Sequence, residues 1–374
     1  MHVSFWEQES FYKDIDYVII GSGIVGLSSA IELRNKYSNA KIVVLEKGFL
    51  PSGASTKNAG FACFGSPTEI LDDLTKMSEE EVFAMVEKRW NGLLNLKNLI
   101  GEENLGFEAF GSCELFTKDD TEIYNNTISK LDYLNAFLKP IFGVDVFEVK
   151  DELIEEFGFE NIDHIIANRF EGQINTGKTM TSLLNLAKEK NISILNGVEV
   201  IKVNQGTDKV IIALEHFDLE AKNVLIATNG FAKQLLPELN VEPARAQVLI
   251  TEPIEGLKLK GPFHYEQGYY YFRNVGNRVL FGGGRNLALE EESTTDISLT
   301  MTIQNKLDDL LKNVILPYRQ NVNVEMRWAG IMGVGDNKTT IVKQLDDNIF
   351  CAVRMGGMGV AIGSLIGKEA AELL

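Results

Sequence analysis

Residues 16–46 read DYVIIGSGIVGLSSAIELRNKYSNAKIVVLE, and this stretch decides the fold. The apolar run at 17–20 predicts a buried strand, and Gly21, Gly23 and Gly26 follow it at once in G-x-G-x-x-G spacing. Gly21 permits a tight turn, Gly23 lets the backbone approach a pyrophosphate, and Gly26 lets the next helix pack closely on the strand. The spacing therefore predicts a phosphate-binding turn between a strand and a helix.

An acidic residue completes this unit. An amphipathic helix follows Gly26, and a second apolar strand at 41–45 ends at Glu46, twenty residues past that glycine. Glu46 can accept hydrogen bonds from ribose hydroxyls, and the helix N-terminus at Ile24 and Val25 offers N–H groups and a positive dipole end to phosphates. A glycine-rich structural turn alone does not explain the acid, so the unit predicts dinucleotide binding.

Length and charge limit the classes of function. The chain has 374 residues, 45% of them hydrophobic, which predicts two or three domains with sizeable cores. A net charge of −17 and the lack of a basic patch argue against a nucleic-acid partner. No apolar run is long enough for a transmembrane segment, and the N-terminal sequence lacks a basic and then apolar signal, so we expect a cytoplasmic protein.

The cysteines and histidines predict neither disulfides nor a metal site. Cys63, Cys113 and Cys351 are far apart in the sequence and form no C-x-x-C pair, so we expect reduced thiols. The four histidines show no metal-ligand spacing, and we therefore expect no bound metal.

Three further features favour a flavin over a nicotinamide nucleotide. A polar loop at 52–66 follows the acid and supplies Ser55, Thr56, Lys57 and Asn58, which could wrap a pyrophosphate and a ribityl chain. A later segment returns with GVEVIKV and then NVLIATNG, and the chain closes with a second glycine-rich turn, RMGGMGVAIG, that opens a helix. Such a turn can bring a helix N-terminus to the flavin pyrimidine edge, where its dipole would stabilise negative charge on the reduced ring.

These motifs together resemble a known family of flavin enzymes. The loop SGASTKNAGFACFGS, the turn ATNG, a strand ending in GGG, a W-x-G motif and the final GGMG occur in order over nearly the whole chain. The set resembles the FAD-dependent amino-acid and amine oxidase family, which includes D-amino-acid oxidase, glycine oxidase and sarcosine oxidase. The N-terminal part and the polar loop look most like the branch that contains γ-glutamylputrescine oxidoreductase. The resemblance implies FAD as the cofactor.

The order of the elements fits this family's architecture. We expect an α/β fold with a Rossmann-like FAD-binding domain built from three chain segments, and an α+β substrate domain whose sheet is mainly antiparallel. The FAD-binding domain is expected at 1–94, 161–235 and 326–374. The substrate domain then consists of the two insertions at 95–160 and 236–325.

The resemblance also implies positions for the cofactor and the substrate. Val200 matches a valine on which adenine rests, the turn from Ala227 to Gly230 passes near the nucleotide, and the final turn meets the flavin ring. Tyr270 matches a tyrosine that overhangs the flavin. The expected cofactor-binding residues are Gly21, Gly23, Ile24, Val25, Gly26, Glu46, Lys47, Ser55, Thr56, Lys57, Asn58, Ala59, Val200, Ala227, Thr228, Gly230, Gly330, Gly356, Gly357, Met358, Gly359 and Val360.

Three positions depart from the family pattern. The amino-acid oxidases place a carboxylate-binding arginine two residues after the glycine of W-x-G, and here Met332 stands there. The sarcosine-oxidase branch attaches its flavin to a cysteine near Gly330, where this chain has none, so we expect non-covalent FAD. Arg354 replaces a glycine before the final turn and could bind substrate, contact the flavin or pair with a local acid. The catalytic candidates are therefore Tyr270, Arg354 and Met332.

The expected function is oxidation of a C–N bond in an amine or amino acid. In such a mechanism a hydride passes from the carbon to flavin N5, and the resulting imine hydrolyses. The electron acceptor is oxygen or another species that the sequence does not name. Two alternatives stay open: a flavin dehydrogenase that passes electrons to a quinone or a protein partner, and a non-catalytic FAD-binding protein.

Overall fold

The computed structural model describes residues 3–319 and 321–374. The strands are β1 (Ile15–Ile20), β2 (Ile42–Glu46), β3 (Phe61–Ala62), β4 (Ser112–Phe116), β5 (Phe147–Val149), β6 (His164–Asn168), β7 (Gly172–Gln173), β8 (Ser193–Asn196), β9 (Val200–Gln205), β10 (Val210–Leu214), β11 (Asp218–Ile226), β12 (Glu242–Thr251), β13 (Pro262–Tyr265), β14 (Tyr270–Val275), β15 (Arg278–Gly283), β16 (Val324–Val334), β17 (Ile341–Asp346) and β18 (Ile349–Val353). The helices are α1 (Phe5–Glu7), α2 (Ile24–Lys36), α3 (Ala54–Lys57), α4 (Pro67–Leu74), α5 (Glu79–Ile100), α6 (Glu102–Leu105), α7 (Thr121–Ser129), α8 (Leu131–Phe142), α9 (Glu152–Phe157), α10 (Thr176–Glu189), α11 (Met301–Leu310) and α12 (Gly359–Leu373).

The first sheet has a parallel centre. Its strands run in the order β17-β18-β11-β1-β2-β8, and β18, β11, β1, β2 and β8 are parallel. Strands β1 and β2 are almost continuously apolar because both faces of the sheet are covered. Helices α2, α5, α10 and α12 contribute to the core on one face, and strands β9 and β10 form an antiparallel extension beside the start of β11.

The second sheet is mainly antiparallel. Its order is β16-β12-β15-β14-β13-β4-β6-β5, with one parallel pair between β13 and β4. One face, which we call the outer face, carries stacked phenylalanines that pack with the helix α11. These residues include Phe263, Phe272 and Phe281 from the sheet and Ile303 and Leu307 from the helix. The opposite, inner face is turned toward the polar loop that follows β2.

The expected α/β fold class is confirmed, with a Rossmann-like parallel sheet and a second, mainly antiparallel sheet. The domain boundaries stay a prediction. Two strands inside the segments 161–235 and 326–374, namely β6 and β16, pair with the second sheet rather than the first. The reason is long-range pairing: β16 pairs with β12 along nearly its whole length, and a change in composition along the chain does not reveal such a partner.

None of the helices in the described part of the chain is both long enough and apolar enough to cross a membrane. The cytoplasmic location stays a prediction.

Close backbone packing between helices gives a first test of the fold. A Cβ added at Gly92 of α5 would lie 2.1 Å from the carbonyl oxygen of Ala361 in α12. We expect Gly92→Ala to lower the free energy of unfolding by about 3 kcal/mol, because the helices must separate to admit the methyl group. Thermal and denaturant unfolding of the variant measure this loss.

Gly177→Ala in α10 is the matched control. Its new Cβ would meet only the Asn175 side-chain oxygen, at 3.4 Å. The same substitution in this helix should raise the free energy of unfolding by about 0.5–1 kcal/mol, since alanine loses less backbone entropy on folding than glycine does. Equal losses in the two variants would contradict the packing described for Gly92.

Candidate active site at the junction of the two sheets

The carboxyl edge of the first sheet gathers four chain segments. The glycine turn follows β1, Glu46 ends β2, and the turns that begin at Ala227 and Arg354 follow β11 and β18. Gly21 has a φ of +106°, and a Cβ there would lie 2.8 Å from the Ala227 carbonyl oxygen. A Cβ on Gly26 would lie 1.9 Å from the Gly21 carbonyl oxygen. Ligands of parallel sheets bind at this edge, so the glycines make room where a nucleotide would lie.

The Glu46 carboxylate is buried and held in one orientation. Its Oε2 accepts hydrogen bonds from the Ser22 N–H at 3.1 Å and from the Ser22 hydroxyl at 2.7 Å. Its Oε1 accepts from the Gly48 N–H at 2.9 Å and from the Ser52 hydroxyl at 3.1 Å. Ser22 and Ser52 are not among the predicted site residues, although a hydroxyl inside the glycine turn and another in the polar loop were available signals.

Lys47 and Val200 are two of the expected cofactor-binding residues, and their surroundings differ. The Lys47 ammonium pairs with Glu199 at 2.7 Å on the surface, so an exposed ion pair engages its charge. Val200 is half-buried at the start of β9, two residues after Val198, whose N–H donates to the Glu46 carbonyl at 2.9 Å. Val200 is therefore close to the acid, as an adenine contact would require.

The polar loop closes over the start of α2. The Ile24 N–H donates to the Ser55 hydroxyl oxygen at 3.0 Å, and a Cβ on Gly23 would lie 2.8 Å from that oxygen. Val25 is buried in the core below. The Thr56 hydroxyl donates to a backbone carbonyl of its own loop at 2.7 Å. Ser55 thus lies at the helix N-terminus, where phosphates bind, whereas Thr56 shapes the loop.

The Asn58 side chain is also used to shape the loop. Its amide group donates to the carbonyls of Ala54 and Ser55 at 3.2 and 2.9 Å. Its carbonyl oxygen accepts from the Gly60 N–H at 2.8 Å and from the Thr176 hydroxyl at 2.9 Å. These four bonds hold the Asn58 side chain in one orientation within the loop.

Lys57 and Ala59 attach the loop to the inner face of the second sheet. The Trp328 indole N–H donates to the Lys57 carbonyl at 2.9 Å, and a Cβ on Gly330 would lie 3.0 Å from the Lys57 Cβ. The guanidinium of the buried Arg273 donates to the Ala59 carbonyl. Lys57 therefore lies along β16, at the place where the two sheets meet.

The final glycine turn is open on one side. A Cβ at Gly356 would meet no atom within 4 Å, and one at Gly357 would meet only the Met332 sulfur, at 4.0 Å. Helix α12 begins at Gly359, and its N-cap residue Met358 accepts no side-chain capping bond. The turn thus presents an uncapped helix end to open space, with Val360 buried behind it.

The turn after β11 contacts both β16 and the final turn. A Cβ on Gly230 would lie 2.6 Å from the Met332 carbonyl oxygen, and the Asn229 side-chain oxygen accepts from the Met355 N–H at 3.0 Å. The Thr228 hydroxyl oxygen is buried and has no hydrogen-bond partner among the described residues. A buried polar atom without a partner at this edge fits a site completed by a ligand.

A row of paired residues crosses the inner face opposite these turns. Its members pair directly from strand to strand, which places them on one face. The inner row consists of Trp328, Val248, Gly282, Tyr271, His264 and Glu114. Segment 57–68 lies across it: the Phe61 ring is 5.4 Å from the Tyr271 ring and 5.5 Å from the His264 ring. We call the space between this row and the carboxyl edge the junction.

The carboxyl edge fits an extended dinucleotide that carries a flavin. Glu46 suits a ribose, the N-terminus of α2 suits a pyrophosphate, and the uncapped α12 faces open space beside Met332. Residues 16–373 match the family described as FAD dependent oxidoreductase (DAO). The chain belongs to this family. FAD is accordingly its cofactor.

Known proteins resemble the chain over most of its length. It is 23% identical over 390 residues to "Probable oxidoreductase OrdL" of Haemophilus influenzae, with 96% of this chain and 82% of the relative covered. The fold is similar to that of L-proline dehydrogenase from P. horikoshii, with a TM-score of 0.77, 19% identity and coverage of 97% and 94%. Glycine oxidase from Geobacillus kaustophilus gives a TM-score of 0.75, 17% identity and coverage of 96% and 94%. The resemblance to the γ-glutamylputrescine branch stays a prediction.

The structure places Tyr270 away from the junction. Its side chain is fully buried in the outer core near Phe281, and burial raises its pKa to about 12. Its hydroxyl has no hydrogen-bond partner in the part of the chain that the structure describes. Tyr271 is the member of the inner row and faces Phe61. Side chains alternate along a strand, so a shift of one residue in the sequence match moves the ring to the opposite face.

The structure also gives Arg354 a local role. Its guanidinium donates to the Asn240 carbonyl at 3.1 Å, to the Asn337 side-chain oxygen at 2.9 Å and to the Thr339 carbonyl and hydroxyl at 2.7 and 2.9 Å. Arg354 itself is buried with a φ of +66°. These bonds hold the loop before β17 and leave no free fork for a substrate. Met332, in contrast, reaches the final turn.

A buried ionic cluster borders the inner row at His264. Its Nε2 lies 3.7 Å from Glu171 and its Nδ1 lies 3.8 Å from Glu69. Burial alone would lower the pKa of His264, but the carboxylates of Glu171, Glu69 and Glu114 raise it to about 9. Burial raises the pKa of Glu114 to about 7, despite hydrogen bonds from Thr68. The cluster thus holds an imidazolium among carboxylates.

The Cys63 thiol completes this cluster. Ligand atoms of Cys63, Glu171 and His264 lie within 4.8 Å of one another. Burial, together with Glu171, raises the pKa of the thiol well above its usual range. The Glu171 carboxylate already accepts from the Phe64 and Gly65 N–H groups and from the Ser112 hydroxyl, at 2.6 to 2.9 Å. The expectation of no bound metal stays a prediction.

The two tyrosines should separate stability from flavin contact. We expect Tyr270→Ala to lower the free energy of unfolding by about 3–5 kcal/mol, because it opens a cavity in a closed core. The visible flavin spectrum of the folded variant should not change. Tyr271→Ala should cost less stability and shift the flavin band, because it removes a ring at the junction. A spectral shift in the Tyr270 variant alone would contradict this assignment.

The ionic cluster predicts a pH dependence of stability. His264 has a pKa of about 9 in the folded protein against an ordinary value of 6.5. Its stabilisation is therefore complete below pH 6.5 and is lost as the pH rises to about 9. We expect a loss on the order of 1–3 kcal/mol across this window. Melting temperatures measured from pH 6 to about pH 9.5 should fall in the wild type and fall less in His264→Gln.

His216→Gln is the control for this experiment, because His216 is exposed beside Glu215. This variant should keep the pH profile of the wild type. A His264→Gln profile parallel to that of the wild type would show that another group causes the loss.

Proposed function

We propose that this FAD-dependent oxidoreductase oxidises a C–N bond of an amine or an amino acid. Two features that lie together at the junction support the proposal. The open final turn lies beside the Met332 sulfur, and on the same face of the second sheet Trp328 is bonded to the Lys57 carbonyl. A flat cofactor ring and a small substrate would fit between this turn and the inner row. The glycine oxidase and proline dehydrogenase folds support the same class of substrate.

The chain's own residues would hold and orient the reactants. When bound, FAD supplies N5 as a hydride acceptor. Glu46 would bind the ribose hydroxyls, and the Thr228 hydroxyl would complete its hydrogen bonding with the cofactor. The N-terminus of α12 would favour negative charge at the pyrimidine edge. The rings of Trp328 and Tyr271 would exclude water from the reacting carbon.

The reaction balances with these parts. The C–H and N–H bonds of the neutral amine break and a C=N bond forms. Two electrons and one proton leave as a hydride, and the second proton goes to solvent. Water then adds to the imine, ammonia or a smaller amine is released, and a carbonyl compound remains. No acid–base side chain is required to make the imine, which agrees with the aromatic and apolar members of the inner row near Met332.

The FAD is proposed to be non-covalent. The Cys113 and Cys351 thiols are buried, and burial raises their pKa values to about 12 and about 11. The Cys63 thiol lies in the ionic cluster described above. Reactive cysteines need an accessible thiolate, which these environments disfavour. Acid precipitation should therefore release the flavin into the supernatant.

Anaerobic reduction of the flavin tests the proposed function. We expect the purified protein to be yellow and to bleach with members of one class among D- and L-amino acids, N-methyl amino acids, polyamines and γ-glutamylated amines. Peroxide formed on admitting air would identify oxygen as the acceptor. Dye reduction without peroxide would favour a dehydrogenase with a quinone or protein acceptor. A protein whose flavin bleaches with dithionite but with no amine would contradict the proposal and favour a non-catalytic flavoprotein.

A variant of Glu46 tests cofactor binding, and a variant of Glu199 is the matched control. Glu46→Ala removes the acceptor of four hydrogen bonds at the carboxyl edge and should weaken FAD binding at least about tenfold. Glu199→Ala removes only the surface partner of Lys47 and should keep the flavin. The bound flavin per protein, read from the absorption spectrum, measures both.

A further inference from the structure

The junction lacks the side chain that best recognises a carboxylate. A carboxylate in a closed site needs a paired cation, and the planar guanidinium of arginine binds it through two parallel hydrogen bonds. Three arginines reach the region around the junction: Arg89, Arg273 and Arg354. Each of them is buried, and the chain itself uses each guanidinium.

The bonds of these three arginines are directed to the protein. Arg89 donates to the Phe64 carbonyl at 2.7 Å. Arg273 donates to the carbonyls of Ala59, Ile174 and Asn274, the last two at 3.0 and 3.3 Å, and burial lowers its pKa to about 10. Arg354 is held by the loop before β17, as described above. Freeing any of these groups for a substrate would leave buried carbonyls without donors.

The other arginines lie elsewhere in the described chain. Arg245 pairs with Glu292 at 2.8 Å in a buried bridge, and Arg327 pairs with Asp308 at 2.7 Å beside α11. Burial lowers the pKa of Arg285, and the negative charge of the same Glu292 opposes this change. Arg285 follows Gly284, which contacts the outer-face Tyr270. Surface carboxylates or carbonyls engage the remainder, which are Arg34, Arg169, Arg278 and Arg319. Arg285 is the exception, since its buried Nε has no hydrogen-bond partner among the described residues. Within residues 3–319 and 321–374, no hydrogen bond or ion pair places an arginine guanidinium at the junction.

Apolar and aromatic groups stand at the junction instead. The Met332 sulfur lies beside Gly357, and Trp328, Tyr271 and Phe61 provide rings at or beside the inner row. Such rings bind alkyl chains by burial and can bind an ammonium group through cation–π contacts. Lys57 is the cation at this place, since its aliphatic stem lies against Gly330 of β16. Its ammonium is a single point of charge and lacks the fork of arginine.

We propose that the substrates are amines whose reacting carbon carries no carboxylate. This inference rests on the proposed C–N oxidation and narrows its substrate class. The substrate carbon would lie against the rings of the inner row, with the Met332 side chain where a carboxylate-binding group would be needed. An α-carboxylate placed there would lose its hydration without gaining the two parallel hydrogen bonds of a guanidinium, so α-amino acids are poor substrates.

Matched pairs of compounds test this inference. Each pair is an amine and its α-carboxylated counterpart, chosen so that the counterpart has no second amine on a carbon without a carboxylate: agmatine and free arginine, benzylamine and phenylglycine, pyrrolidine and proline. Both enantiomers of each amino acid are used with the holoenzyme under anaerobic conditions. We expect the flavin to bleach at least tenfold faster with the amine than with its counterpart in every pair that reacts.

The outcomes separate this inference from the function on which it rests. Faster bleaching by the carboxylated members would overturn the inference and leave C–N oxidation intact. If no compound of the pairs or of the wider panel bleaches a flavin that dithionite does bleach, the proposed function itself fails.

A binding experiment gives a readout that does not need turnover. Benzoate and anthranilate are aromatic carboxylates in which the holoenzyme can oxidise no C–N bond. Their binding can therefore be measured without turnover. We expect neither to perturb the visible flavin spectrum of the wild type. Met332→Arg should gain a saturable perturbation by benzoate, because a guanidinium is then present beside Gly357. Met332→Leu is the size-matched control and should gain none.

The wild-type titration decides the question even if Met332→Arg does not fold. Saturable binding of benzoate by the wild-type holoenzyme would overturn the inference, since a cation for carboxylates must then exist at the flavin.

Discussion

The site depends on a backbone contact between the turns of the first sheet and the end of β16. The Gly356 N–H donates to the Gly333 carbonyl at 2.9 Å, and Gly230 approaches the Met332 carbonyl so closely that a Cβ would lie 2.6 Å away. Because backbone contacts backbone here, no side-chain movement can make room for a residue larger than glycine. This contact fixes the second sheet against the carboxyl edge, and with it the distance between a bound flavin and the inner row.

Buried polar groups fix the loop between the sheets. Trp328 and Arg273 donate to the Lys57 and Ala59 carbonyls, and further along the segment Glu114 accepts hydrogen bonds from Ser66 and Thr68. Each bond joins segment 57–68 to the second sheet in a region shielded from water, where an unpaired partner would be costly. The bond from Arg273 also directs the guanidinium nearest to the loop toward the protein backbone, and the rings and Met332 remain on the side of the flavin. The substrate preference therefore follows from how the loop is held.

Sequence reasoning was reliable where the signal is local. The glycine spacing, the two apolar strands and Glu46 lie within 31 residues, and they predicted a dinucleotide-binding unit in a parallel sheet, which the strand order confirms. The choice of FAD rested on the resemblance of motifs along the whole chain, and the family match confirms it. Sequence reasoning was unreliable where long-range pairing decides. Tyr270 and Tyr271 are adjacent and chemically identical, and only the pairing of β14 with β13 and β15 assigns them to opposite faces. Arg354 finds its Asn240 partner more than one hundred residues away in the chain.

The sequence by itself determined the nucleotide-binding turn, because Gly21, Gly23 and Gly26 are required by backbone geometry within one short unit. It also determined the loss of an arginine at Met332, which is a property of one position. Only the tertiary structure decided whether another arginine could take its place. That answer required the hydrogen-bond partners of Arg273 and Arg354, and those partners come together only when the sheets meet. Contact between distant segments is set by packing rather than by local propensity.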